Sequence, residues 1–189
     1  MVAVAVLWTT MGLGMRRTGL GFSDDRPLSY LGTDPRSLAL FRGGLLVASV
    51  LLVAFAWAVH RDGSPASGFL PAFLVGQAGQ VVAALVPIDG AGGAHEVHTT
   101  AGIVLGLSLP VLMWRYAAGQ RPGARRSRAY TLVWVEVAAC VAGVVLSRAM
   151  RAPLAEAVPA TGFHLWIAVV TGWLSTAAPA PSPGSAPAA

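Results

Sequence analysis

The sequence predicts an all-α integral membrane bundle of six transmembrane helices, the first one short. Of 189 residues, 55% are hydrophobic and only 11% are charged, against roughly 25% charged in a soluble domain. The apolar residues gather in long runs, separated by short connections that carry most of the Arg, Gly and Pro. In water such a chain would expose large sticky patches, so lipid is the fitting solvent.

Met1 to Met15 is apolar but covers only about 22 Å at the helical rise, short of the roughly 30 Å hydrocarbon core. Arg16 and Arg17 stop it. It lacks the basic start and small-residue cleavage site of a signal peptide. It reads as a short, mismatched span or as a span missing upstream residues, and the second reading is favoured.

Thr18 to Arg36 is the longest polar connection. Pro27 and Pro35 forbid a continuous helix there, and Gly32 suits a turn. Ser37 is a candidate N-cap for the second span, Leu38 to Val59, which carries Arg42 one turn inside. After a loop from His60 to Gly68, the third span runs Phe69 to Ile88 with Gln77 and Gln80. Val97 to Trp114 is the fourth, with a kink expected at Pro110. Arg115 to Arg128 is the most basic loop, holding five Arg. Ala129 to Leu146 is the fifth span, with Glu136 and Cys140, and Ser147 to Gly162 reads as a connection. Phe163 to Ala177 is the sixth. Residues 1–177 thus form one six-helix transmembrane domain, and 178–189, rich in Pro and Ala, read as a disordered tail.

Six spans put both termini on one side. The clustered Arg of the 115–128 loop places that side in the cytoplasm by the positive-inside rule. All thirteen basic residues are Arg, a usage that fits a GC-rich bacterial genome, so the expected location is a bacterial inner membrane. The net charge of +5 is spread over loops, where it attracts anionic headgroups. Nucleic-acid binding would need a soluble basic face with interleaved aromatics, which is missing. Cys140 is the one cysteine, which excludes a disulfide framework and a cysteine-based zinc site.

The densest titratable chemistry lies in Ala84 to Gly102, with Asp89, His95, Glu96 and His98 around a glycine-rich turn. His95 and His98 share one helix face, and a helix N-terminus favours neutral imidazole. Asp89, His95, His98 and, from the sixth helix, His164 have the chemistry of a three-His-one-Asp zinc site. The alternative is structural, with His98 bonded to a neighbouring loop and Asp89 bracing the turn. Arg42 and Asp89 fall at one level and are a candidate ion pair, with snorkelling of Arg42 to headgroups as the alternative. Glu136 is the one acid inside a span. Counted from Ala129 its depth matches Gln77, which makes a hydrogen bond from a neutral Glu136 plausible. Gly102-x3-Gly106 and Ala139-x3-Gly143 permit close helix contact.

Arg26-Pro27-Leu28-Ser29-Tyr30 before the second span, Val86-Pro87-Ile88-Asp89-Gly90 after the third and a His opening the fourth resemble a bacterial family of multi-pass membrane proteins, a domain of unknown function (nine-nine-eight). Pro27, Leu28, Ser29 and Tyr30 answer its Pro-Leu-Ser-x-Tyr loop, with Tyr30 following Ser29 directly. Pro87, Asp89 and either His95 or His98 answer its Phe-Pro-x-Asp turn and His. Gly162-Phe163-His164 stands where the family has a Gly…Gln-Arg motif. The resemblance covers about Arg26 to Trp114 and implies architecture rather than mechanism.

Three functions remain open. The first is a non-enzymatic membrane protein whose outer pocket, built from Ser29, Tyr30, Arg42, Asp89 and His98, binds a lipid headgroup or a membrane partner, with no cofactor. The second is an intramembrane zinc hydrolase of lipid esters or amides using Asp89, His95, His98 and His164. Its residue types resemble those of alkaline ceramidases and adiponectin-receptor-like proteins, whose span number and histidine spacing differ. The third is a transporter centred on Glu136, with Gln77 and Gln80 as the other polar groups inside the spans. The oligomeric state is not readable.

Overall fold

The computed structural model describes residues 1–90, 92–149 and 152–176; the Pro/Ala-rich tail expected at 178–189 lies outside them. Among these residues six helices follow one another: α1 (Val2–Thr18), α2 (Leu38–Asp62), α3 (Phe69–Leu85), α4 (Ala94–Gly119), α5 (Ala124–Arg148) and α6 (Ala152–Ser175). A short 3-10 turn, Leu28–Gly32, sits between α1 and α2. Among the described residues, four helices, α2, α4, α5 and α6, are long and apolar enough to cross a membrane, and α3 is a shorter apolar helix. The molecule is a helical membrane bundle.

The helix ends follow local chemistry. α1 stops at Gly19, whose φ of 74° is open to glycine and strained for other residues. The amides of Gly19 and Leu20 both return to the Met15 carbonyl. α3 and α4 are joined through Gly92 and Gly93, at φ 67° and 85°. Ser37 does not cap α2 through its side chain; its hydroxyl instead donates to the Leu31 carbonyl at 2.8 Å and ties the 3-10 turn to the helix start. α4 continues through Pro110.

From α2 onward short connections make sequential helices antiparallel neighbours, and α1, joined through 19–37, packs on α2 as well. Two ends result. The terminal end holds Met1, the 63–68 loop, the 120–123 loop and the close of α6. The rim end holds 19–37, 86–90, the start of α4, the close of α5 and the start of α6. α6 also crosses to the rest of the bundle: Trp166 packs its ring on Phe55 of α2, Phe69 of α3 and Tyr116 of α4, and Trp8 of α1 bonds to His164.

Of the expected connection Ser147 to Gly162, Ser147 and Arg148 close α5, and Ala152 to Gly162 form the first half of α6. Its two prolines do not break the helix. Pro153 is the second residue of the helix, where the missing amide proton is not needed. Pro159 leaves the Ala155 carbonyl without its helical donor, and α5 packs there across Gly143, where a Cβ would stand 2.7 Å from that oxygen. The earlier start moves His164 from the rim to the middle of the helix.

The small-residue pairs also sort differently. Gly143 is used in the α5–α6 seam, whereas Gly102 and Gly106 have nothing packed where a Cβ would be. The tight α3–α4 contact comes from α3: Gly76 lies against Ser108, and Gly79 against the Ala101 carbonyl.

Candidate functional site

The rim brings together residues that the sequence placed there, in partnerships it did not reveal. Both oxygens of Glu156, in the second turn of α6, hold Ser29. The Ser29 amide donates to one at 3.0 Å and its hydroxyl to the other at 2.9 Å. Ser29 is buried and Glu156 is exposed on the helix surface. This latch docks the 3-10 turn onto α6. Pro27 fixes an extended entry, and a Cβ at Gly32 would collide with the Phe41 ring of α2 at 2.8 Å, so glycine lets the turn lie flat. Tyr30 lies beneath the Arg26 guanidinium, 4.8 Å from its ring centre.

Two Asp-x-Arg ion pairs brace the same segment. Arg26 grips Asp24 at 2.9 Å and Arg36 grips Asp34 at 2.7 Å. The Arg26 side chain beside it holds the Asp24 carboxyl well below the usual carboxylate range. Hydrogen bonds from Arg36 lower Asp34 to about 2.

His98 and His95 both turn back on the glycine-rich loop. Nδ1 of His98 lies 2.7 Å from the Val86 carbonyl, and Nδ1 of His95 lies 2.9 Å from the Ile88 carbonyl. A carbonyl only accepts, so each Nδ1 is the donor. These bonds close a loop whose carbonyls have left the α3 ladder. His98 therefore takes the structural arrangement weighed from the sequence.

The zinc set is not assembled. Among the described residues, no three His, Cys, Asp or Glu side chains are grouped to hold a metal ion. His164, the thirteenth of 24 residues in α6, lies about 18 Å along the helix from its rim start. Its Nδ1 accepts the Trp8 indole proton at 2.9 Å.

The Arg42–Asp89 pair does not form; the ion pairs among the described residues are Asp24–Arg26, Asp34–Arg36 and Arg61–Asp62. Asp89 is exposed on its turn. Arg42 is half-buried, and its Nε is enclosed without a partner. Two turns further along α2, Ser49 meets Gln80 of α3. Arg42 thus lies on the α3-facing side of α2, one turn inside the rim.

Inside the bundle, the Gln80 amide donates to the Ser49 hydroxyl at 2.8 Å and to the Leu45 carbonyl at 3.1 Å, pinning α3 to α2. The Glu136–Gln77 bond is absent, and each residue keeps one buried oxygen unpartnered. The depth match rested on starting the fifth helix at Ala129. It starts at Ala124, which puts Glu136 at the thirteenth of 25 residues, half-way along. Glu136 faces α6 instead, with Oε2 against Gly162.

Sequence reasoning missed Glu156 and Trp8. Glu156 had a signal: it lies among helix-forming Ala and Leu that could have extended the sixth helix upstream. Trp8 had none, because its partner is 156 positions away.

The family described as Protein of unknown function (DUF998) matches residues 1–181, and the chain belongs to that family. No curated protein and no solved structure matches the chain.

Proposed function

We propose that this family member is a non-enzymatic membrane protein that binds the anionic headgroup of a phospholipid at its rim, with Arg42 as the anchoring cation. The carrying observation is the half-buried Arg42 guanidinium with its enclosed, unpartnered Nε. A guanidinium just inside a membrane rim matches the depth of lipid phosphates, and its fork of donors suits phosphate oxygens. Ser29 and His98 serve the fold of the rim instead, through their bonds to Glu156 and to the Val86 carbonyl, and the Tyr30 ring lies beneath Arg26. Asp89 is exposed on its turn and takes no part in holding the anion. No cofactor takes part.

We place the chain in a bacterial inner membrane with the terminal end in the cytoplasm, on the strength of the Arg flanking the 120–123 loop. A membrane-impermeant maleimide in intact cells should label Asp89→Cys and spare Ser64→Cys; the reverse pattern inverts the orientation.

The binding test is native mass spectrometry of detergent-purified protein offered phosphatidylglycerol or phosphatidylcholine. Wild type should retain phosphatidylglycerol preferentially, and Arg42→Gln should lose that preference while keeping its helicity and melting temperature. Equal retention of both lipids by wild type would sink the reading.

A further inference from the structure

We infer that Glu136 is an exchangeable proton-binding site in the middle of the membrane, set in the seam between α5 and α6. Glu136 is fully buried half-way along a membrane-spanning helix. The site is built on both sides. Gly162 of α6 supplies the space, because any side chain there would run into Oε2. Cys140, one turn along α5, points its sulfur at Oε1 from 3.6 Å and at the Gly106 carbonyl of α4 from 4.0 Å.

The neighbours leave the carboxyl without a counter-charge. Cys140 is the titratable group facing it from its own helix. α4 offers the neutral Gly106 carbonyl and α6 the Gly162 backbone. His164, two residues beyond Gly162, is engaged with Trp8 of α1. No cation pairs with Glu136 among the described residues. A bare carboxylate at that depth would be expensive, whereas a carboxyl that holds a proton fits.

A carboxyl kept only for packing would have its hydrogen bonds satisfied. Here Oε2 is uncommitted. Gln77 Oε1 on α3 and Trp166 Nε1 on α6 are also buried and unpartnered. By the helical rise they lie about 12 and 14 Å from the terminal end, with Glu136 at about 18 Å. The uncommitted polar atoms therefore lie between Glu136 and the terminal end in depth, the side on which a proton would enter and leave.

The test is labelling of the full chain in lipid nanodiscs by dicyclohexylcarbodiimide, followed by peptide mass mapping. This lipid-soluble reagent needs the carboxyl proton. The proton moves to one carbodiimide nitrogen, the carboxyl oxygen bonds to the central carbon, and an acyl shift to nitrogen gives a stable N-acylurea with nothing expelled. Glu136 should be labelled in the folded protein, and labelling should fall as pH rises. Glu136→Gln should lose the adduct and melt like wild type, and Glu136→Asp should restore labelling. Labelling of Glu136 only after unfolding in dodecyl sulfate would show a sealed acid and overturn the inference. Labelling that ignores pH would do the same. So would an unfolded Glu136→Gln, because the fold would then require the charge.

Discussion

The two ends of the bundle are held by different physics. From mid-bundle toward the terminal end, Phe69, Phe73, Phe163, Trp166 and Tyr116 form one aromatic cluster with ring centres 5.5–6.4 Å apart. Arg125 donates to the Tyr116 hydroxyl at 3.0 Å and lies over the Trp173 ring. Gln120 reaches across to the Gly63 carbonyl and closes the two loops on each other. At the rim end, small residues and hydrogen bonds do the joining: Ser29 to Glu156, Ser37 to Leu31, and His95 and His98 to the 86–90 turn. In lipid, apolar burial gives little net drive, so packing and hydrogen bonds share the work. The aromatic end spreads its stabilisation over many contacts. The rim concentrates it in a few bonds that can be broken one at a time.

The largest effect should come from the aromatic end. Trp166→Ala opens a cavity at the junction of α2, α3, α4 and α6, and should destabilise by about 3–5 kcal/mol. Denaturant titration in detergent should register the loss as one global transition. If only α6 loosens, the cluster is not the common core.

Next comes the seam between the two ends. Gly162→Ala places a methyl against Glu136 Oε2 and should cost about 1–3 kcal/mol. Pairing it with Glu136→Ala should recover much of that loss, and a purely additive double mutant would rule out the contact.

Cutting the rim latch should be smaller and local. Ser29→Ala removes the hydroxyl bond and leaves the amide bond, for about 1 kcal/mol. Hydrogen exchange should rise at Leu28–Gly32 and stay unchanged in α3 and α4. A uniform rise would mean that the rim and the aromatic end melt as one unit.

The smallest effect is a pH response of the rim segment. The Asp34 carboxyl is lowered from 3.8 to about 2 by Arg36, so its native form binds protons less readily than its unfolded form. The contribution is fully present above about pH 4 and is lost as pH falls toward 2. Nuclear magnetic resonance of Arg36 should follow that loss, and Asp34→Asn should abolish it.

Much of this architecture was legible beforehand. The start of α2 at Leu38 and of α3 at Phe69 followed from where polar connections give way to apolar runs, because lipid tolerates backbone only with its bonds made internally. The start of α6 was legible only in part: Ala and Leu around Glu156 favour helix, but the seat of Pro159 depends on the close approach of Gly143 in α5. The rim was recognised as a place where polar residues meet. Its pairings were hidden: Arg42 with Asp89 was the arithmetic choice, yet Asp89 is exposed on its turn and Arg42 lies on the α3-facing side of α2.

By itself, then, the sequence determined the solvent, the helix count and the end at which Ser29, Asp89 and His98 lie. Composition and run length fix these, and both are local properties. Only the tertiary structure decided that Glu156 clasps Ser29, that Trp8 holds His164, and that Glu136 sits uncommitted against Gly162. Those choices depend on helix rotation and on how closely backbones approach. They are set by contacts among residues up to 156 positions apart, which no local pattern encodes.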